Sequence, residues 1–368
     1  MSLVAFMNAI RTHCIVAARL GAIGALLTGA GITPFGAIAQ AASPATAPQP
    51  IDADVQVLPV SSGVFMLTVG GVNVTVQTGT DGTVVVDPGP VATAPAVVAQ
   101  IRRLTRAPIR YVIDTNADAE VVGGNAIAAS AGSSIASRDL FAAAADRQFS
   151  SIAAVPGAKA GNGAPIIALQ SVLTRMLAST PGYPASGLPT DTFTRPEFNF
   201  FANEGIAVVQ LPAAHSDADA AVRFERTDVV VTGAVFDPTR FPAIDLQHGG
   251  SIQGELDALN RIVNTLVFAH TPVLTNTGGT LVVPLRGPLC DLADLVTYQD
   301  MVATVTARIR FYMDRGRSLR QVLAADPLQG YRTRYGADRD NGTATDFVAA
   351  VYRSLLVARL PLHRQREP

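Results

Sequence analysis

From Val55 onward the chain alternates apolar and polar positions over short runs: GVFMLTV, VNVTVQTG and TVVVDPG, with Gly70-Gly71 and Asp81-Gly82 between them. Period-two runs joined by glycine turns predict antiparallel strands linked by tight hairpins. The period then changes. VATAPAVVAQIRRL sets Ala94, Val97, Val98, Ile101 and Leu104 on one helical face, and Pro108 leads into a strand, IRYVID. A second block of strands follows as FNFFA, the turn Asn203-Glu204-Gly205, IAVVQLP, AAVRFER and DVVVTGAVF. Ile252, Leu256, Leu259, Ile262, Val263 and Leu266 then recur at helical spacing, ahead of a buried strand, LVVP. From 291 on the pattern is helical, with Leu295, Tyr298, Val302, Val305 and Ile309 forming a stripe that reads as core. Two blocks of mostly antiparallel strands, each with helices, predict a layered α/β arrangement with sheets inside and helices outside. Between the blocks, 139–195 is rich in Ala, Ser and Pro, carries one helix around IALQSVLTRMLAST, and reads as an insertion or cover rather than sheet. No repeat of fixed period stands out.

Composition narrows the class. With 368 residues, 48% hydrophobic and 15% charged, the chain can bury one large core or two ordinary ones. The 28 basic and 29 acidic residues leave a net charge of -1, so no global field recruits nucleic acid or an anionic membrane surface, and any partner, small molecule or protein, is chosen locally. The N-terminus differs from the rest: Arg11 and Arg19 precede LGAIGALLTGAGI, and Ala39-Gln40-Ala41 supplies the small-residue pattern that a signal peptidase reads. Residues 1–41 are therefore expected to be an export signal and 42–54 a disordered linker, which places the remainder in the periplasm or outside the cell. A membrane association would require the N-terminal segment to be retained as an anchor, and its glycines and Pro34 weaken it as a permanent span. Cys14 leaves with the signal, and Cys290 alone cannot build a disulfide framework or a cysteine metal cage. The domain expected from this reading is 55–290, including the 139–195 cover, with 291–368 as a C-terminal helical extension packed on it.

One loop carries most of the candidate chemistry. In IDTNADAEVVGGN a strand runs into a polar turn with Asn116, Asp118 and Glu120, and Gly123-Gly124-Asn125 opens a helix. Loops at strand ends commonly hold function. This one has two acids and an amide but no histidine, cysteine or lysine.

The order of these words resembles the metallo-β-lactamase fold superfamily, in which the first metal loop reads T-H-x-H-x-D-H-x-G-G-N after a strand. Here Thr115, Gly123, Gly124 and Asn125 match, while Asn116, Asp118, Glu120 and Val121 stand at the ligand positions. VVVDPG resembles the V-D-T-G step, placing Asp87 beneath the site as loop support. LPAAHSDADAAVRF resembles the H-T-D-G-D segment, with His215 at the third histidine. DVVVTGAVF resembles the strand that ends in a bridging aspartate, here Ala234, and LVVPLRGPLCD resembles V-P-G-H-G-P, with Arg286 at the last histidine. The resemblance runs from about Val55 to about Leu356 and implies a four-layer αβ/βα sandwich with extra C-terminal helices. It also implies a hydrolase acting on lactams, lactones, thioesters or phosphoesters, if the chain is active.

Zinc hydrolysis needs imidazole or carboxylate lone pairs and an open position for hydroxide. Asn116, Asp118 and His215 make at most a weak, atypical site for one divalent metal of the manganese or magnesium kind. A dinuclear zinc centre is not expected, because Val121 has no lone pair, Arg286 cannot be deprotonated into a ligand, and Ala234 removes the bridge. Asp118 and Glu120 stand open between a weak metal, the guanidinium of Arg286, which would replace the metal's charge, and plain solvation. His215 is read first as a hydrogen-bonded relic of the ligand set and second as a ligand. Ser216, next to His215 on an extended segment, points away from it. His248 matches no ligand and reads as a loop residue; His270 and His363 read as surface positions.

Three functions remain in view. The first is an exported pseudoenzyme whose degenerate site binds a ligand or partner, with no cofactor. The second is a hydrolase using one metal on Asn116, Asp118 and His215, with Asp118 or Glu120 as catalytic acid or base. The third is an accessory subunit of an exported or membrane-bound assembly that docks through the 139–195 cover.

Overall fold

The computed structural model describes residues 54–134, 163–267, 279–336 and 343–359. The predicted export signal, residues 42–53 of the linker, 139–162 of the predicted cover, His270 and His363 lie outside the described residues.

Seven strands form one sheet in chain order: β1 (Gln56–Ser61), β2 (Val64–Val69), β3 (Val72–Gly79), β4 (Gly82–Val86), β5 (Ile109–Ile113), β6 (Ile166–Leu169) and β7 (Asp191–Phe193). The first four are hairpin-linked and antiparallel, and β4 to β7 run parallel. Between β2 and β3, Gly70 and Gly71 have φ of 59° and 82°, the left-handed pair that a two-residue hairpin turn requires. Helix α1 (Ala94–Leu104) connects β4 to β5; α2 (Ala119–Val122) and α3 (Asn125–Ser130) follow β5. The second sheet has the order β12-β11-β10-β9-β8, from β8 (Glu197–Ala202), β9 (Glu204–Gln210), β10 (Ala220–Phe224), β11 (Val229–Val231) and β12 (Leu281–Val283). It is antiparallel apart from β11 and β12.

The alternation read from the sequence sorts side chains into three apolar layers. On β2, Leu67 and Val69 pack outward with Val97, Val98 and Ile101 of α1, while Val64 and Met66 pack inward with Val222, Phe224 and Val231 of the second sheet. On β9, Ile206 and Val208 join that inner layer, and Ala207 and Val209 face the helices α5 (Ile252–Arg261), α6 (Leu292–Asp314) and α7 (Thr343–Ala358). Burying one such valine or leucine contributes about 2 kcal/mol, so a one-residue slip of any central strand would exchange its two faces at prohibitive cost. Helix, sheet, sheet, helix is thus the layer order, the four-layer sandwich expected. The stripe Leu295, Tyr298, Val302, Val305 and Ile309 lies in the outer core of the second half. A buried carboxylate binds the sheets: Glu204 accepts from Gln77 Nε2 on β3 at 2.8 Å and from the amides of Arg226 and Thr227 at 2.7 and 2.9 Å.

Two expectations are corrected. Of the 139–195 segment, read as cover rather than sheet, the described part supplies β6 and β7 to the edge of the first sheet, around α4 (Gln170–Ala178). Ile166-Ile167-Ala168-Leu169 is an apolar run buried on both faces, and periodicity alone does not separate such a strand from the start of a helix. The stripe from Ile252 to Leu266 is also not one regular helix: α5 ends at Arg261, and Ile262–Leu266 forms a wider π-helical turn.

Candidate functional site

Strand ends at one edge of the sandwich bring the candidate residues together. Asp87 follows β4, Asp114 to Asn116 follow β5, His215 to Asp219 precede β10, Gly233 and Ala234 follow β11, and Arg286 follows β12. Backbone bonds fasten these ends to one another: Ala220 N donates to Thr115 O at 2.8 Å, Thr232 N to Val283 O at 3.1 Å and Leu285 N to Gly233 O at 3.3 Å. Gly233 sits at φ 56°, and a Cβ there would lie 2.5 Å from Thr115 Oγ1, so this contact admits only glycine.

The floor is built from buried carboxyls. Asp87, itself at φ 55°, accepts from Thr115 N and Thr115 Oγ1, both at 2.8 Å, and so fixes the start of the loop. Burial outweighs these bonds and pushes its carboxyl up to about 7. Asp114 accepts from Asn125 Nδ2 at 2.8 Å, and its burial drives its carboxyl well above the usual range. The amide of Asn125 also donates to Gly187 O at 3.1 Å. Gly124 N donates to Gly89 O at 2.7 Å, and Cβ atoms at Gly123 and Gly124 would meet backbone atoms of 88–91 at under 3 Å, so both glycines let the loop lie flat on the segment after β4.

The polar turn resolves into two ion pairs. Asp118 occupies the N-cap position of α2 without capping it; its Oδ2 lies 3.0 Å from His215 Nε2, off the line of a straight hydrogen bond. On the other side of the ring, His215 Nδ1 is 2.7 Å from Ala243 O, and since a carbonyl only accepts, Nδ1 carries a proton. Burial disfavours the charged imidazole, but the Asp118 carboxylate beside it and the charge of Asp219 overcome it and push His215 up to about 10. Burial likewise raises the Asp118 carboxyl, and the His215 imidazole beside it more than reverses this, so it ends lowered. His215 is thus an imidazolium facing a carboxylate at neutral pH. Asp219 holds the segment in shape by accepting from Ala214 N, Ser216 N and Ser216 Oγ at 3.2, 2.9 and 3.1 Å. Asn116 spends its Oδ1 on Asp118 N at 2.8 Å; its Nδ2 is buried without a partner among the described residues, and an amide NH2 has no lone pair for a metal.

The second pair joins Arg286 Nη2 to Glu120 Oε2. The same guanidinium donates from Nη1 to Gly71 O at 3.2 Å and places Nε 3.9 Å from Asp237 Oδ2. Of the two carboxylates that the sequence offered to Arg286, the structure selects Glu120. Val121 is fully buried in the inner core and Ala234 packs against it, so those two ligand positions have joined the apolar layer.

Beside Asp118 opens a cleft of about 300 Å3 lined by Ala117, Asp118, Arg175, Ala178, Ser179, Tyr183, Asp245 and His248. Its wall holds a second carboxylate–imidazole pair, His248 Nδ1 at 2.5 Å from Asp245 Oδ2. Arg175 is ion-paired with Asp217. His248, read as a loop residue, sits in the single turn Leu246–His248, which brings its side chain to Asp245, three residues earlier in an aperiodic stretch. Among the described residues no group of three or more His, Cys, Asp or Glu side chains converges on a point suited to a metal ion.

Layer order, strand order and a loop cluster at the strand ends define the chain as a protein of the metallo-β-lactamase fold. Among solved structures it is similar to the stereoselective inverting sec-alkylsulfatase Pisa1 from Pseudomonas sp., with a TM-score of 0.57 and 13% identity, covering 85% of this chain and 52% of that one. A metallo-β-lactamase from Pontibacter korlensis also matches, with a TM-score of 0.48 and 13% identity, covering 68% of this chain and 99% of the other. The chain spans about half the length of the alkylsulfatase, and at such identity the likeness establishes the fold alone. No family model and no curated protein matches the sequence.

Proposed function

We propose that this is an exported metallo-β-lactamase-fold protein that has lost metal-dependent hydrolysis and uses its cleft to bind a small molecule. The observation that carries the reading is the pair of ion pairs, Asp118–His215 and Glu120–Arg286, formed by residues that the sequence resemblance aligns with the family's metal ligands. A cation held by a carboxylate replaces the charge of a metal ion but supplies no Lewis acid and no metal-bound hydroxide. The residues present do not fit a zinc centre: His215 would have to give up the proton that Asp118 stabilises, and Arg286 has no lone pair to offer. Support for export is the N-terminal sequence itself, with its basic start, apolar run and Ala39-Gln40-Ala41.

The test is turnover. Purified protein, assayed against a lactam, a lactone, a thioester and a phosphodiester with and without zinc or manganese in excess, is expected to give no metal-dependent rate. A rate that rises with metal and vanishes in His215→Ala would overturn the reading in favour of a hydrolase working through one atypical metal.

A further inference from the structure

The cleft holds an imidazole that the degenerate metal site does not use. His248 ends the single turn Leu246–His248, and Asp245 caps that turn, its Oδ1 accepting from Gln247 N at 3.0 Å and His248 N at 3.2 Å. The other oxygen, Oδ2, takes His248 Nδ1 at 2.5 Å. A carboxylate only accepts, so the proton of the neutral ring sits on Nδ1 and the lone pair on Nε2. Burial pushes the Asp245 carboxyl up, and the hydrogen bonds from the His248 ring, the His248 amide and the Gln247 amide bring it below its ordinary value, which keeps it a carboxylate.

The turn is held at both ends. Asp245 N donates to His215 O at 2.8 Å and Gly250 N to Asp245 O at 2.9 Å, while His248 O accepts from Asp217 N at 2.9 Å and Arg175 Nη2 at 3.5 Å. His248 is about half exposed, lines the cleft, and has no partner at Nε2 among the described residues. Tyr183 and Arg175, whose side chains carry hydrogen-bond donors, also line the cleft, Arg175 with one nitrogen already given to Asp217 and His248 O. Burial, with Asp118 and Asp114 nearby, raises Tyr183 and so keeps its proton in place.

We infer that Asp245 and His248 form a metal-independent general base, His248 the catalytic residue and Asp245 the positioning residue, for hydrolysis of a small carboxylic ester bound in the cleft. This deepens the reading of the cleft as a small-molecule site and rests on it. His248 Nε2 takes a proton from water as the water oxygen bonds to the acyl carbon, and the carbonyl π pair moves onto oxygen. Tyr183 and Arg175 stand in the same cleft to donate to that oxyanion. When the pair returns, the bond to the leaving oxygen breaks and the Nε2 proton passes to it, so one ester and one water give one acid and one alcohol with no oxidant, reductant or metal. The ester follows from the groups the cleft presents: one imidazole base beside a phenol and an ion-paired guanidinium, for which an acyl ester is the substrate that asks least. A cleft of about 300 Å3 is at the small end of ligand sites and suits a short acyl chain.

The experiment uses the full chain treated with EDTA and p-nitrophenyl acetate as probe. Saturable hydrolysis is expected, with kcat falling about 100-fold in both His248→Ala and His248→Gln while KM changes by less than about threefold, the range of a lost general base. Free imidazole should restore the Ala variant saturably, beyond its effect on the parent protein, and Asp245→Asn should lower kcat about tenfold by releasing the ring orientation. Saturable hydrolysis that His248→Ala and His248→Gln leave unchanged would overturn the dyad while sparing the cleft. Loss of saturation altogether, with Tyr183→Ala also without effect on the rate, would overturn both, and hydrolysis abolished by EDTA would return the chemistry to a metal.

Discussion

Arg286→Ala is expected to lower the stability of the folded chain by about 3 kcal/mol, within the range for removing one partner of a largely buried pair. The arginine side chain is 17% exposed and faces Glu120 at 35% and Asp237 at 15%, so the site lies between a surface pair and a fully buried one. Surface pairs return about 1 kcal/mol or less, and the larger figure reflects what is left behind. Without the guanidinium, Glu120 and Asp237 confront each other across an unfilled space, and Gly71 O loses its donor. Adding Glu120→Gln to Arg286→Ala should recover about half of the loss, since one of the two stranded charges is then gone. Urea unfolding midpoints of the parent, both single variants and the double variant measure this directly, and a double variant no more stable than Arg286→Ala alone would show that the charges are not the cause.

His215→Gln is expected to cost about 3 kcal/mol near pH 6, and the cost should depend on pH in a defined way. In the fold His215 is raised from 6.5 to about 10, so its contribution is fully present below 6.5 and is lost as pH climbs through about 10. Asp118 is lowered below 3.8, so its contribution is present above 3.8 and is lost as pH falls through its folded value. The stability gap between parent and variant should therefore be widest between about pH 4 and 6.5 and close toward pH 10. Asp87, pushed up to about 7 by burial, imposes its own decline on both proteins and cancels from the difference. Unfolding midpoints across pH 4 to 10 check the window, and a gap that stays constant to pH 10 would mean that His215 is neutral in the fold.

Much of the fold was legible because burial imposes a period. The alternation in β2, β3 and β9 assigned each side chain to the inner or outer layer, and the stripe on α6 was core as read. Where no period exists, the sequence was silent. The run Ile166 to Leu169 carries no alternation because both its faces are buried, and it merged into the helix that follows. The candidate site was legible by frame and not by pairing. Glu120, Arg286, Asp118 and His215 could be placed at one edge from their words, but which acid meets which cation depends on the angle at which β12 delivers Arg286 and β10 follows His215. Asp237, Asp114 and the Asp245–His248 pair were missed. Their signals were an aspartate after a phenylalanine, one ending a strand, and one three residues from a histidine, each too common in loops to stand out.

The measurement that decides most directly whether ion pairs have replaced metal in this fold is elemental analysis of the mature protein after equilibration with excess zinc and manganese and removal of free ion. With Asp118 neutralised by the His215 imidazolium and Glu120 by Arg286, metal per chain is expected below about 0.1 equivalent. One tightly held equivalent per chain in the parent, absent from His215→Ala, would contradict it.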